Sequence, residues 1–141
     1  LNDTTDSYFE KFSSNDKSGI FKLVYGNKSF LFTGDAGTKT ERYFIDKYGM
    51  FLKSDLLKAG HHGSKTSTSN LFLDVVDPDI ALISAGVANK FKHPHPDIIN
   101  KLKERNIAVY RTDEHGAVLL QSDGENIENI NWKRKESGYI F

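Results

Sequence analysis

The chain has 141 residues, 19 Lys and Arg against 19 Asp and Glu, and no cysteine. That length reads as one domain. A net charge of zero gives no whole-chain steering toward nucleic acid or anionic lipid, and the lack of thiols excludes disulfides and thiolate metal sites.

In chain order, residues 1–18 are polar and end in Ser13-Ser14-Asn15-Asp16-Lys17-Ser18, a composition that suits a flexible lead-in. Leu1 to Asp6 has neither an initiator Met nor the regions of a signal peptide, and reads as a cut made inside a longer protein. Gly19 to Tyr25 and Ser29 to Thr33 are β-rich runs around Gly26-Asn27, a hairpin turn signature. Thr38-x-x-Glu41 resembles a capping box, Phe44, Ile45 and Tyr48 follow at helical spacing, and Gly49 is a C-terminal stop. Asp55 to Ala59 is a short buried strand. Leu71, Phe72, Val75 and Val76 make a helical face that Pro78 ends. Ile80 to Ser84 is a further strand, and Pro94 and Pro96 lead into a helix with Ile98, Ile99 and Leu102 on its apolar face. Ile107 to Arg111, Ala117 to Gln121 and Asn126 to Trp132 close the chain as strands. No apolar run approaches a membrane span. The order predicts an α/β fold whose mixed sheet is parallel in the middle. The expected layout is a lead-in over 1–18, the folded unit over 19–132 and a tail over 133–141.

Two strand ends carry the chemistry. Asp35 follows the run Phe30-Leu31-Phe32, and His61-His62 follows Leu56-Leu57. As neighbouring parallel strands, both would emerge at the carboxyl edge of one sheet, where open α/β sheets place their ligands. A carboxylate and neutral imidazoles converging there can hold Zn²⁺ or a similar ion. Asp35 alone, after Gly34, reads as a turn cap. Two adjacent histidines between Gly60 and Gly63 are harder to explain by packing, and both reach one point only if the chain turns there. Ser64 to Ser69 holds five hydroxyl residues and Lys65. It is either a solvated loop with an N-cap or a phosphate cradle before a helix. His93-Pro94-His95-Pro96 is either a rigid lead into a helix or a pair of projected imidazoles. Asp113-Glu114-His115-Gly116 reads as a turn. All five histidines fall between His61 and His115.

Thr33-Gly34-Asp35, Gly60-His61-His62-Gly63-Ser64, His93-Pro94-His95-Pro96 and Tyr110 to Gly116, in that order, resemble the metallo-β-lactamase superfamily, and in particular the C-terminal domain of ComEC-type competence proteins. The resemblance implies half of an αββα sandwich. The superfamily's first metal motif, His-x-His-x-Asp-His or its Asp-substituted form, has no counterpart here. The match therefore covers the C-terminal half of the fold, with the other half removed or the metal centre lost.

By resemblance, the parent is a metal-dependent phosphodiesterase or nuclease acting on DNA. Two divalent ions, zinc or manganese, are implied in the complete domain. Asp35 would bridge them and His61 would ligate one. His62, Ser64, Lys65, Thr66 and His95 would face the scissile phosphate or leaving oxygen. The implied partners are DNA or another phosphodiester, the missing N-terminal half and a second copy of the chain. A catalytically inactive domain that binds nucleic acid or protein is the rival reading, and a soluble hydrolase of small phosphoesters or β-lactams is another.

Overall fold

A computed structural model describes residues 13–130. Residues 1–12 of the expected lead-in, the last residues of the strand expected to reach Trp132, and the expected tail over 133–141 lie outside the described residues. β1 (Phe21–Tyr25) and β2 (Lys28–Phe32) form the expected hairpin, with Phe21 opposite Phe32 and Tyr25 opposite Lys28. Gly26 turns it at φ 57°, and a Cβ there would meet the Gly124 carbonyl at 2.7 Å. β2 then pairs in parallel with β3 (Leu56–Lys58), β3 with β4 (Ile80–Ile83) and β4 with β5 (Ala108–Arg111). The sheet runs β1-β2-β3-β4-β5. Each parallel step requires a crossover, and α1 (Thr38–Tyr48), α2 (Asn70–Val76) and α3 (Pro96–Glu104) supply the three. The mixed sheet, parallel in the middle, is as the apolar pattern predicts.

Period-two alternation sorts the strand residues onto two faces. Leu31, Leu57 and Ala81 stand side by side in register and are wholly buried. They share the core with Phe44, Phe72, Leu73, Val76, Ile98 and Leu102 of the three helices. The opposite face carries the rows Phe21-Phe32-Lys58-Leu82-Tyr110 and Leu23-Phe30-Leu56-Ile80-Ala108. One helical layer on one sheet face is half of a sandwich. β6 (Leu119–Ser122) and β7 (Ile127–Ile130) form a separate antiparallel hairpin. Its turn meets the β1–β2 turn, where Asn27 N–H donates to the Gly124 carbonyl at 2.6 Å.

Three local expectations are corrected. The Thr38–Glu41 capping box does not form: Gly37 occupies the N-cap position without a side-chain cap. Glu41 is 1% exposed, and its carboxylate accepts instead from the backbone N–H groups of Thr68 and Ser69. Residues 13–18 are tied to the fold rather than free, because Asp16 Oδ1 accepts from Gly37 N–H at 3.2 Å and Ser18 Oγ from Asp35 N–H at 3.1 Å. The Asp113 turn is one turn of helix, α4 (Thr112–His115), with Arg111 held to Asp113 at 2.6 Å and Glu114 at 2.5 Å.

Candidate functional site

Asp35 and His61 do emerge at the same sheet edge, three residues beyond the last residue of β2 and of β3 respectively, with His62 next in the chain. His61 N–H donates to the Gly34 carbonyl at 3.0 Å, so the two loops are bonded directly. The turn that brings both imidazoles to this edge is made by the histidines themselves. His61 (φ 47°, ψ 45°) and His62 (φ 57°, ψ 25°) are both left-handed. Each such non-glycine residue costs about 1–3 kcal/mol and persists only when its surroundings over-determine it. Here Ser64 N–H donates to the His61 carbonyl at 3.0 Å, and His62 Nδ1 lies 2.7 Å from the Ser84 carbonyl. Gly63 follows at φ 81°, packed so closely that a Cβ would meet Pro94 Cβ at 2.6 Å.

The nearest imidazole to Asp35 belongs to His62, whose Nε2 lies 3.6 Å from Asp35 Oδ1. Asp35 and His61 line a cleft of about 240 Å³ with Asp16, Thr38, Lys39 and Thr66. His62 and His93 line a second cavity of about 270 Å³ with Ala85, Gly86, Asn89 and Phe91. The rings of His61 and His93 are 5.5 Å apart, edge to face. Burial and the neighbouring imidazoles of His61, His62 and His95 push His93 below its ordinary pKa, while Asp35 pulls it back. Lys58, at the end of β3, is a site residue that the motif reading passes over. Burial pushes its ammonium down and the Asp35 carboxylate raises it, and Nζ donates to the Ala59 carbonyl at 3.2 Å. A lysine after Leu56-Leu57 in a buried run was the available clue.

The Ser/Thr loop is not the cradle of free N–H groups considered from sequence. Thr66 N–H donates to Ser64 Oγ at 3.3 Å and Ser67 N–H to the Ser64 carbonyl at 3.1 Å. Those of Thr68 and Ser69 go to Glu41. Burial pushes the Glu41 carboxyl up, opposed by the hydrogen bonds from Ser69 and Thr68 and by Lys101. Ser64 is 5% exposed and its hydroxyl pairs with that of Thr66 at 3.0 Å, while Lys65 and Thr66 are exposed. His95 caps α3, its Nδ1 accepting from Asp97 N–H at 3.3 Å. His93 rather than His95 therefore stands against His61. His115 closes α4 locally, Nδ1 lying 2.9 Å from the Arg111 carbonyl.

Among the described residues, no three His, Asp or Glu side chains converge as an ion would require. The Asp35–His62 approach brings two donors together, against the four ligands of a closed Zn²⁺ site. The described side chains alone therefore do not fit a metal centre.

Half an αββα sandwich, with an aspartate and a Gly-His-His turn joined at the carboxyl edge of its sheet, defines a metallo-β-lactamase-type domain. The metallo-β-lactamase superfamily model matches residues 13–87, and the chain belongs to that superfamily, whose members generally use divalent metals. It is similar to competence proteins: 43% identical over 104 residues to Competence protein ComA of Neisseria gonorrhoeae and 37% identical over 106 residues to ComE operon protein 3 of Bacillus subtilis. It is also 39% identical over 116 residues to Recombination protein 2 of Haemophilus influenzae. These matches cover 74%, 75% and 82% of this chain but only 15%, 14% and 14% of the respective relatives.

Proposed function

We propose that this chain is the C-terminal part of a metal-dependent phosphodiesterase or nuclease domain that acts on DNA during its uptake. The observation that carries the reading is the left-handed His61-His62 turn bonded to the Asp35 loop. Backbone strain of that kind is kept where side chains must be aimed. Asp35 and His61 are assigned as ligands of zinc or manganese ions. Their remaining ligands come from the other half of the fold, supplied by a segment outside this chain. His62, Ser64, Lys65, Thr66 and His95 are assigned to the phosphodiester side, where hydrogen-bond donors and the Lys65 ammonium favour the negative charge that develops on hydrolysis. Likeness to competence proteins over three quarters of the chain supports the DNA role.

The test is turnover of single-stranded DNA by the longer protein that contains this chain. Asp35→Asn is expected to lower it by roughly a hundredfold or more, together with metal content. Lys65→Ala is expected to slow turnover with metal content intact. The absence of a three-donor group among the described residues favours the rival, an inactive domain that binds nucleic acid or protein. Unchanged turnover in Asp35→Asn would sink the hydrolase reading, and absence of turnover in the unmodified longer protein supplied with either ion would favour the rival.

A further inference from the structure

The loop between β4 and α3, Gly86-Val87-Ala88-Asn89-Lys90-Phe91-Lys92-His93, has no role in the reading above. It contains two lysines and no carboxylate, so it is a basic patch on a chain of zero net charge. The Asn89 side chain ties its two ends together, and Lys92 N–H donates to the Asn89 carbonyl at 3.0 Å. Asn89 Nδ2 donates to the carbonyls of Gly86 at 2.9 Å and His93 at 2.5 Å, and Asn89 Oδ1 accepts from His93 N–H at 3.0 Å. At its tip Phe91 keeps 67% of its surface exposed, although large aromatic side chains are normally buried. The ring is not idle. It stacks on His93 at 5.8 Å and 25°, and the Lys90 ammonium lies 4.8 Å from its centroid. Phe91 also lines the cavity that holds His62 and His93. At about 270 Å³ that space lies just below the range of small-molecule pockets, roughly 300–1,000 Å³, and has room for a single ring system.

We propose that Phe91 is a stacking platform for one unpaired nucleobase, with Lys90 and Lys92 taking the phosphates that flank it. An exposed aromatic ring interleaved with cations is how single-stranded nucleic acid is held without sequence readout. The lysine–ring contact is an exposed cation–π contact, weaker than base–aromatic stacking, so an arriving base displaces the flexible Lys90 stem and its ammonium turns to the backbone. The bases of a duplex are already stacked on one another and cannot use the platform. The subsite rests on the proposed function for its meaning, since it would seat a nucleotide beside His62 and Asp35, but its test needs no turnover.

The experiment is equilibrium binding of the chain, in chelator, to a short single-stranded thymidine oligomer and to an abasic deoxyribose-phosphate oligomer of the same length. Both carry the same charge, and only one has bases. The thymidine oligomer should bind about tenfold tighter. Phe91→Ala should abolish that preference, Phe91→Trp should keep it, and the Lys90→Ala/Lys92→Ala pair should weaken both oligomers alike and flatten the salt dependence. Equal binding of the two oligomers, or a preference that survives Phe91→Ala, overturns the proposal, including the case in which the exposed ring serves a protein or lipid surface instead. Failure of the hydrolase reading would appear only in turnover and would leave these affinities unchanged.

Discussion

At the residue scale the site is held by backbone strain. Two successive left-handed histidines need a successor that can also take positive φ and sit against Pro94, and Gly63 does both. Gly63→Ala is expected to destabilise the chain by about 1–3 kcal/mol, read as a lowered urea midpoint with unchanged slope. An unaltered midpoint would mean that the turn relaxes freely and that the histidines are not aimed. The site was legible in part from single residues. Asp35 and His61-His62 stand at strand ends, and the strands were visible from Phe30-Leu31-Phe32 and Leu56-Leu57. The resemblance gives a role to His95 and none to His93, although each precedes a proline. What separates them is the α3 start at Pro96, which commits the His95 ring to Asp97 N–H and leaves His93 to meet His61. In the longer protein, His61→Ala is expected to lose metal and His95→Ala to keep it.

At the element scale, one buried carboxylate joins α1 to the loop before α2. Glu41 takes the Thr68 and Ser69 N–H groups, and Lys101 Nζ donates to the Thr68 carbonyl at 2.8 Å. Glu41→Ala strands those buried donors, each a penalty of about 1–3 kcal/mol, and should lower the melting temperature accordingly. The capping-box pattern misled because Thr38-x-x-Glu41 describes neighbours along a helix, whereas Glu41 bonds a loop 27 residues away. Helices and strands were legible from apolar period, but tertiary partners of a polar side chain leave no periodic trace. α4 carries one pH dependence. The hydrogen bonds and charge of Arg111 hold the Asp113 carboxyl below the usual carboxylate range. Its folded pKa thus lies below the unfolded one. That contribution is present above the unfolded value and is lost as pH falls through the folded value. The stability advantage of the unmodified chain over Asp113→Asn should therefore be constant near neutrality and shrink below about pH 4. An advantage that stays level into acid would show that the Arg111 pairing contributes nothing.

At the scale of the whole molecule, the helices cover one face of the sheet, while on the other Phe21 and Leu23 are 59% and 45% exposed. Apolar surface of this kind promotes association. The isolated chain should dimerise or aggregate and bind a hydrophobic dye, and a dye-silent monomer in light scattering at high concentration would contradict this. The central claim is that Asp35 and His61 belong to a metal site that this chain only partly supplies. Metal analysis after extensive dialysis, on the chain and on the longer protein with and without Asp35→Asn, tests it most directly. The expected result is substoichiometric metal in the chain, stoichiometric zinc or manganese in the longer protein, and loss of that metal in Asp35→Asn. A stoichiometric ion retained by the chain alone, or an Asp35→Asn protein with full metal content, would contradict it.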